Sequence, residues 1–378
     1  MRYLNSLLVL ACSFCLLFSC GKVEKGTSEF NKVIYSPRIS NGFEIIGDSI
    51  SGNTLIRVKN PWQGASDITK DFVINYDDLN TTDLDCQSIV GEAKRIVCMS
   101  STHIAMLDAL GVIDRVVGVS GLPYISNKYI RENQNKIPDV GYEGSMDYEK
   151  LVATKPDLVL LFSINGNSSL EPKLMEFGVP FLYIGDYVEE DPLGKAEWII
   201  PLGEVIGKRV EAVKLFEEIS DRYNSRKQMV RENAVTKPKV MLNAPFGDSW
   251  FMPSSTSYVA RMMQDAGAEY VYNKDTGSSS LPIDMEEALA LLQNSDFWLN
   301  MGTYSSLNDL KRGLPKFSDV KLVNEGKVFN NNKITSPGGG NDCYESGVLN
   351  PDLILRDLIK IFHPELVAEE FVYYHQLK

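Results

Sequence analysis

At 378 residues the chain is longer than one typical domain, which points to two lobes. Apolar residues make up 44% and charged residues 23%, ordinary values for a globular protein with a sizeable core. The formal net charge of −12, with no basic block of any length, argues against nucleic-acid binding, which draws its affinity from cationic surface.

Residues 1–19 have the shape of a secretory signal. Arg2 gives a positive start, and Leu7 to Phe18 is apolar apart from small residues and Ser13, too short to span a bilayer. The run ends in Ser19-Cys20-Gly21, which resembles a bacterial lipobox and implies that Cys20 becomes an acylated N-terminus anchored in a membrane. Cys12 and Cys15 leave with the signal. The remaining Cys86, Cys98 and Cys343 are an odd set, neither a disulfide framework nor a zinc cluster. Cys98 lies in an apolar run and reads as a core thiol. A Cys86–Cys343 bridge is left open.

Residues 20–93 read as a tether followed by a β-rich extension. The polar stretch 21–32 is the expected tether. Phe43-Glu44-Ile45-Ile46 and Leu55-Ile56-Arg57-Val58 flank a turn-rich segment and predict a β-hairpin, and Asp71-Phe72-Val73-Ile74 adds a strand.

From Lys94 strands alternate with helices, the pattern of a mainly parallel sheet. Residues 94–193 form a first α/β lobe, with apolar strands at 95–99, 116–119, 158–162 and 181–184. Ser100-Ser101-Thr102 caps a helix that Gly111 ends. Residues 194–236 hold the longest helical pattern, with Ile199, Leu202, Ile206, Val210, Val213, Phe216 and Ile219 at threes and fours; Pro201 and Gly207 are the points where it would bend or divide. A second α/β lobe occupies 237–378. The fold class is therefore two Rossmann-like α/β lobes bridged by a long helix, with a β-hairpin-rich N-terminal extension. Met146-Asp147-Tyr148-Glu149-Lys150-Leu151 echoes Ile283-Asp284-Met285-Glu286-Glu287-Ala288, each opening a short helix ahead of an apolar strand.

Several first-lobe segments resemble the helical-hinge (class III) binding proteins of ABC importers. They are Arg95-Ile96-Val97-Cys98-Met99-Ser100-Ser101, Ala109-Leu110-Gly111, Arg115-Val116-Val117-Gly118-Val119-Ser120, Val140-Gly141, Asp147-Tyr148-Glu149 and Lys155-Pro156-Asp157-Leu158-Val159. The resemblance spans roughly residues 94–365 and has no counterpart for the N-terminal extension. It implies a monomer of two rigid lobes that binds cobalamin, a ferric siderophore or haem in the cleft between them, without any cofactor of its own. It implies delivery to a permease and its ATPase in the periplasm or cell envelope, with an iron complex placed ahead of cobalamin. It also implies that Glu149 and Glu286, one per lobe, dock the permease. Val140-Gly141-Tyr142 resembles the haem branch, in which Tyr142 would bind iron.

Aromatic faces grip flat ligands at low entropic cost, so Tyr124, Tyr142, Phe246, Trp250, Tyr258 and Tyr344 on expected loops are the candidate contacts. Trp250 leads, because it follows a strand end, whereas Trp298 lies within an apolar strand and reads as core. Ser336-Pro337-Gly338-Gly339-Gly340 lacks the Lys-Ser/Thr of a phosphate loop; its glycines are expected to let backbone approach the ligand, with Asn341 and Asp342 beside it. The chain has only three histidines and no HExxH or GxSxG motif, so no enzyme is expected. The rival reading is a secreted hydrolase using Ser101 and His103, with His103 facing the cleft.

Overall fold

The computed structural model describes residues 30–48, 52–76, 86–275 and 280–378. Cys20 and the signal lie outside the described residues. The N-terminal extension is a five-stranded sheet in the order β1 (Phe30–Tyr35), β2 (Phe43–Asp48), β3 (Thr54–Lys59), β4 (Thr69–Asn75) and β5 (Gln87–Val90). The expected hairpin forms, with Ile45 opposite Ile56 and Ile56 opposite Phe72. These three side chains are buried, while Arg57 crosses to Asp71 at 2.8 Å on the other face, a cross-strand charge pair in register. The tether is shorter than expected: β1 begins at Phe30 and pairs antiparallel with β2.

A buried carboxylate fastens the extension to the α/β part of the chain. Glu197 accepts hydrogen bonds from Tyr35 Oη (2.7 Å) and from the backbone amides of Arg38 (2.7 Å), Ile39 (3.0 Å) and Ser40 (2.8 Å). Four donors on one carboxylate satisfy its burial. Phe43 packs on Trp198 with ring centroids 5.0 Å apart.

The first lobe is a parallel sheet ordered β7 (Val116–Val119), β6 (Ile96–Cys98), β8 (Leu158–Leu161), β9 (Phe181–Tyr183). Its helices are α1 (Ser101–Ala109), α2 (Lys128–Glu132), α3 (Tyr148–Ala153) and α4 (Glu171–Glu176). Ser100 is the N-cap of α1, and Gly111 takes the left-handed φ of 69° just past its end.

The bridge between lobes is three helices where one was expected: α5 (Pro192–Glu197), α6 (Ile199–Val205) and α7 (Arg209–Asn233). Gly207, at φ 75°, makes the break, a conformation no helix can continue through. Pro201 breaks nothing, since it sits in the first turn of α6, where amides lack helical partners anyway. The break resets the helical phase, so Val210 is exposed while Phe216, Ile219 and Tyr223 of α7 are buried.

In the second lobe the sheet order is β12 (Glu269–Tyr270), β10 (Lys239–Leu242), β14 (Phe297–Leu299), β15 (Val328–Asn330), β16 (His375–Gln376), with only β16 antiparallel. A separate antiparallel pair joins β11 (Trp250–Met252) to β13 (Leu281–Ile283). Helices α8 (Tyr258–Asp265), α9 (Met285–Gln293), α10 (Leu307–Gly313), α11 (Lys321–Asn324) and α12 (Pro351–Phe362) cover the sheet, and α12 packs along α7. Among the described residues no helix is long and apolar enough to cross a membrane. Cys343 is a free buried thiol, so the Cys86–Cys343 bridge is not formed.

Candidate functional site: a cavity between the lobes

In a parallel sheet the residues after each strand gather at its carboxyl edge, where ligands bind. Here those edges from both lobes meet. Ser100 after β6, Phe162 after β8 and Asp186 after β9 face Asn300 after β14 and Asn331 after β15 across a cavity of about 390 Å³. Tyr258, Met262 and Met263 from α8 and Tyr344 are part of the second lobe's apolar wall, together with Val348 and Ile354. Tyr344 leaves 52% of its surface open, and the space it faces is this cavity. Burial pushes its phenol up to about 12 and raises Tyr258 well above the ordinary tyrosine value, so both are neutral hydrogen-bonding rings at any physiological pH. Tyr344 Oη accepts from Asn331 Nδ2 at 3.1 Å, which fixes the ring's tilt.

The floor carries one ionic pair. Lys195, on α5, donates to the Asp186 carbonyl at 2.5 Å and lies 4.0 Å from its carboxylate and 5.0 Å from the Tyr258 ring centroid. Burial depresses the lysine's pKa, with Asp186 and Glu189 opposing that shift.

A direct seam closes one side of the cavity. Ser336 Oγ (2.8 Å) and the Gly338 amide (3.0 Å) both donate to the Pro123 carbonyl of the other lobe. Glu345 is buried and accepts from the Ser126 and Asn127 amides, each at 2.7 Å. Burial pushes its carboxyl up to about 7 against the pull of those two amides, with Asp342 and Asp108 adding repulsion. The glycines make the approach feasible: a Cβ on Gly340 would lie 1.7 Å from the Tyr124 carbonyl oxygen, and one on Gly338 2.5 Å from that of Pro123.

A second hollow, about 520 Å³ and more open, lies on the first lobe alone. It shares Ser100, Ser101 and Phe162 with the cavity and adds Tyr124, Tyr142 and Glu143.

The periplasmic binding protein family matches residues 96–333, well over half of the chain. The chain belongs to that family. An uncharacterized lipoprotein of Methanocaldococcus jannaschii is 27% identical over 282 residues, covering 72% of this chain and 65% of the relative. An uncharacterized ABC transporter substrate-binding lipoprotein of Bacillus subtilis is 27% identical over 173 residues, covering 45% of this chain and 50% of the relative. The chain therefore spans less than two thirds of either lipoprotein's length. Among solved structures, a periplasmic heme binding protein from Pseudomonas aeruginosa matches at TM-score 0.60 and 17% identity, covering 76% of this chain and 98% of that one. A protein of the ABC-type Fe3+-hydroxamate transport system from Saccharomonospora viridis matches at TM-score 0.56 and 18% identity, covering 73% and 96%. Both share the two-lobed fold.

The residues picked out from sequence divide among the two hollows, the packed interior, the seam loop and the exposed surface. Tyr258 and Tyr344 line the enclosed cavity of this binding protein, and Tyr124 and Tyr142 the open hollow. Trp250 is a correction: it is fully buried, its Nε1 donates to the Leu242 carbonyl at 2.9 Å, and it stacks on Trp298. The loop after β10 folds back as β11, which turns that side chain under the sheet. Phe246, on the same loop, is 82% exposed and lines neither hollow. Asn341 and Asp342 brace the seam loop instead of facing the cavity: Asn341 Nδ2 donates to Asn331 and Asp342 accepts from Ser346 Oγ. The seam glycines admit the other lobe's backbone, not a ligand.

His103 is a second correction. It is fully buried, neither ring nitrogen has a hydrogen-bond partner, and burial lowers its pKa to about 4. It does not reach Ser101, so the hydrolase arrangement is not built. Tyr142 is half-exposed, its hydroxyl close over Gly121, and its phenol is raised by burial and by Tyr124 and Asp139, a shift that opposes the phenolate form. Glu149 and Glu286 are exposed and occupy the same helical position, each two residues after an aspartate N-cap, Asp147 or Asp284. Lys195 and Asp186 went unnoticed in the sequence. Asp186 carried a usable signal, since it follows a strand end.

Proposed function

We propose that this protein is the extracytoplasmic solute-binding component of an ABC importer, anchored through Cys20, that carries a compact iron chelate in the interlobe cavity. The observation that carries this reading is a partly enclosed, aromatic- and methionine-walled space built from the strand ends of both lobes. Its volume falls at the small end of ligand sites, which run roughly 300–1,000 Å³. That favours a small ferric chelate, which brings its own donor atoms, over the much larger cobalamin. No group of three metal-ligating side chains exists among the described residues, so the cargo's iron would arrive already coordinated. A haem held by Tyr142 would sit in the open hollow instead. Delivery to the permease and its ATPase would use the exposed Glu149 and Glu286, whose matched capped positions present one carboxylate from each lobe.

Titration of intrinsic fluorescence with ferric dicitrate, ferrichrome, haem and cyanocobalamin tests the reading. A ferric chelate is expected to bind at micromolar concentration or tighter, on the order of −8 kcal/mol, and cyanocobalamin weakly. Tight cyanocobalamin binding with no response to either ferric chelate would overturn the choice of cargo.

A further inference from the structure

Among the described residues lining the cavity, Lys195 is the only base and Asp186 the only acid. An ammonium has three N–H donors. One of Lys195's is used on the Asp186 carbonyl at 2.5 Å. The Asp186 carboxylate, at 4.0 Å, is beyond hydrogen-bond reach, and the ammonium's other neighbours are the Glu189 carboxylate, which acts through charge, and the face of the Tyr258 ring. A buried cation with donors to spare is costly, and interiors satisfy such groups with hydrogen bonds or an opposite charge. The side chain is 16% exposed, and the opening it faces is the cavity.

Its position suits a ligand contact. Lys195 springs from the bridging helix α5, whose Asp191 cap fixes the first turn through the Leu193 amide at 2.8 Å. It touches the first lobe through Asp186 and the second through Tyr258, so a group bound to it is held by both lobes at once. The first turn of α1, with Ser100, Ser101 and Thr102, faces the same space and adds the positive end of a helix dipole.

We propose that Lys195 anchors the cargo through an oxyanion, which narrows the substrate class to anionic ferric chelates bearing carboxylate or catecholate oxygens. The inference rests on the interlobe cavity being the ligand site. Asp186 acts as a positioning residue, holding the ammonium in place and charged. Binding an anion restores the proton affinity that burial takes from Lys195, so affinity falls as pH rises through the lysine's depressed pKa. The charged and titratable groups that face it are Asp186, Glu189 and Tyr258.

The test compares the wild type, K195M and K195R with two probes, anionic ferric dicitrate and neutral ferrichrome. K195M is expected to lose roughly tenfold or more for ferric dicitrate and to change little for ferrichrome, the scale of one charge-assisted hydrogen bond. K195R keeps the charge and is expected to retain most of the affinity while losing the alkaline decline, since a guanidinium does not titrate there. Equal losses for both probes in K195M, or no loss for either, would overturn the Lys195 assignment while leaving the cavity as the site. A wild type that binds neither probe would overturn the cavity reading and this inference with it.

Discussion

The interlobe cavity and the open hollow share three wall residues, but only the cavity is built by both lobes and holds a lysine. In the cavity Tyr258 and Lys195 are mostly covered and Asp186 is buried, while Tyr344 stands half-open to the space it lines. In the hollow, Tyr124 and Tyr142 are each about half-exposed. Charge interactions strengthen as water leaves, so one ammonium in the cavity discriminates more than several polar groups at the rim. On the proposed reading, position between the lobes, and not aromatic content, marks the site. The seam made by loop 336–345 on loop 121–127 ties the two lobes together beside the two hollows.

Breaking the seam is the strongest way to erase that difference. Gly340→Val places a Cβ where the Tyr124 carbonyl already sits, a clash with backbone that no rotamer relieves. The loop is expected to detach, with faster hydrogen exchange at the Ser126 and Asn127 amides and a larger loss of chelate affinity than any change at the hollow's rim. Unchanged protection at those amides would show that the seam contributes nothing to closure.

A gentler perturbation is pH. Glu345 binds its proton more tightly in the folded protein, at about 7 against an ordinary 4.5. Its contribution to stability is therefore fully present below about 4.5 and is lost as pH rises through about 7. Melting temperature is expected to fall across that window in the wild type, and Glu345→Gln to flatten that part of the profile. Identical pH profiles for the two would contradict the assignment.

Much of this was legible in the sequence, for definite physical reasons. The strands at Ile96–Cys98 and Leu158–Leu161 are short, continuous apolar runs buried on both faces, and such runs between helices can form only a covered parallel sheet. Asp147 and Asp284 declared two helix starts, because an aspartate ahead of a short amphipathic run caps the free amides. What sequence could not give was direction and clearance. Trp250 reads the same whether it points to solvent or turns inward, and only the pairing of β11 with β13 decides. β1 shows mostly exposed or half-buried side chains, so it lacked the alternation that marks a strand. Lys195 sat in a helical pattern where a charged residue reads as solvent-facing. The glycines at 338 and 340 suggested a close backbone approach, and the partner proved to be the opposite lobe.

Whether cargo sits between the lobes is read most directly from the position of iron in crystals grown with ferric dicitrate, located by its anomalous scattering. The expected peak lies inside the interlobe cavity, between Tyr344, Tyr258 and Lys195. A peak in the open hollow beside Tyr142, with the cavity empty, would contradict binding between the lobes.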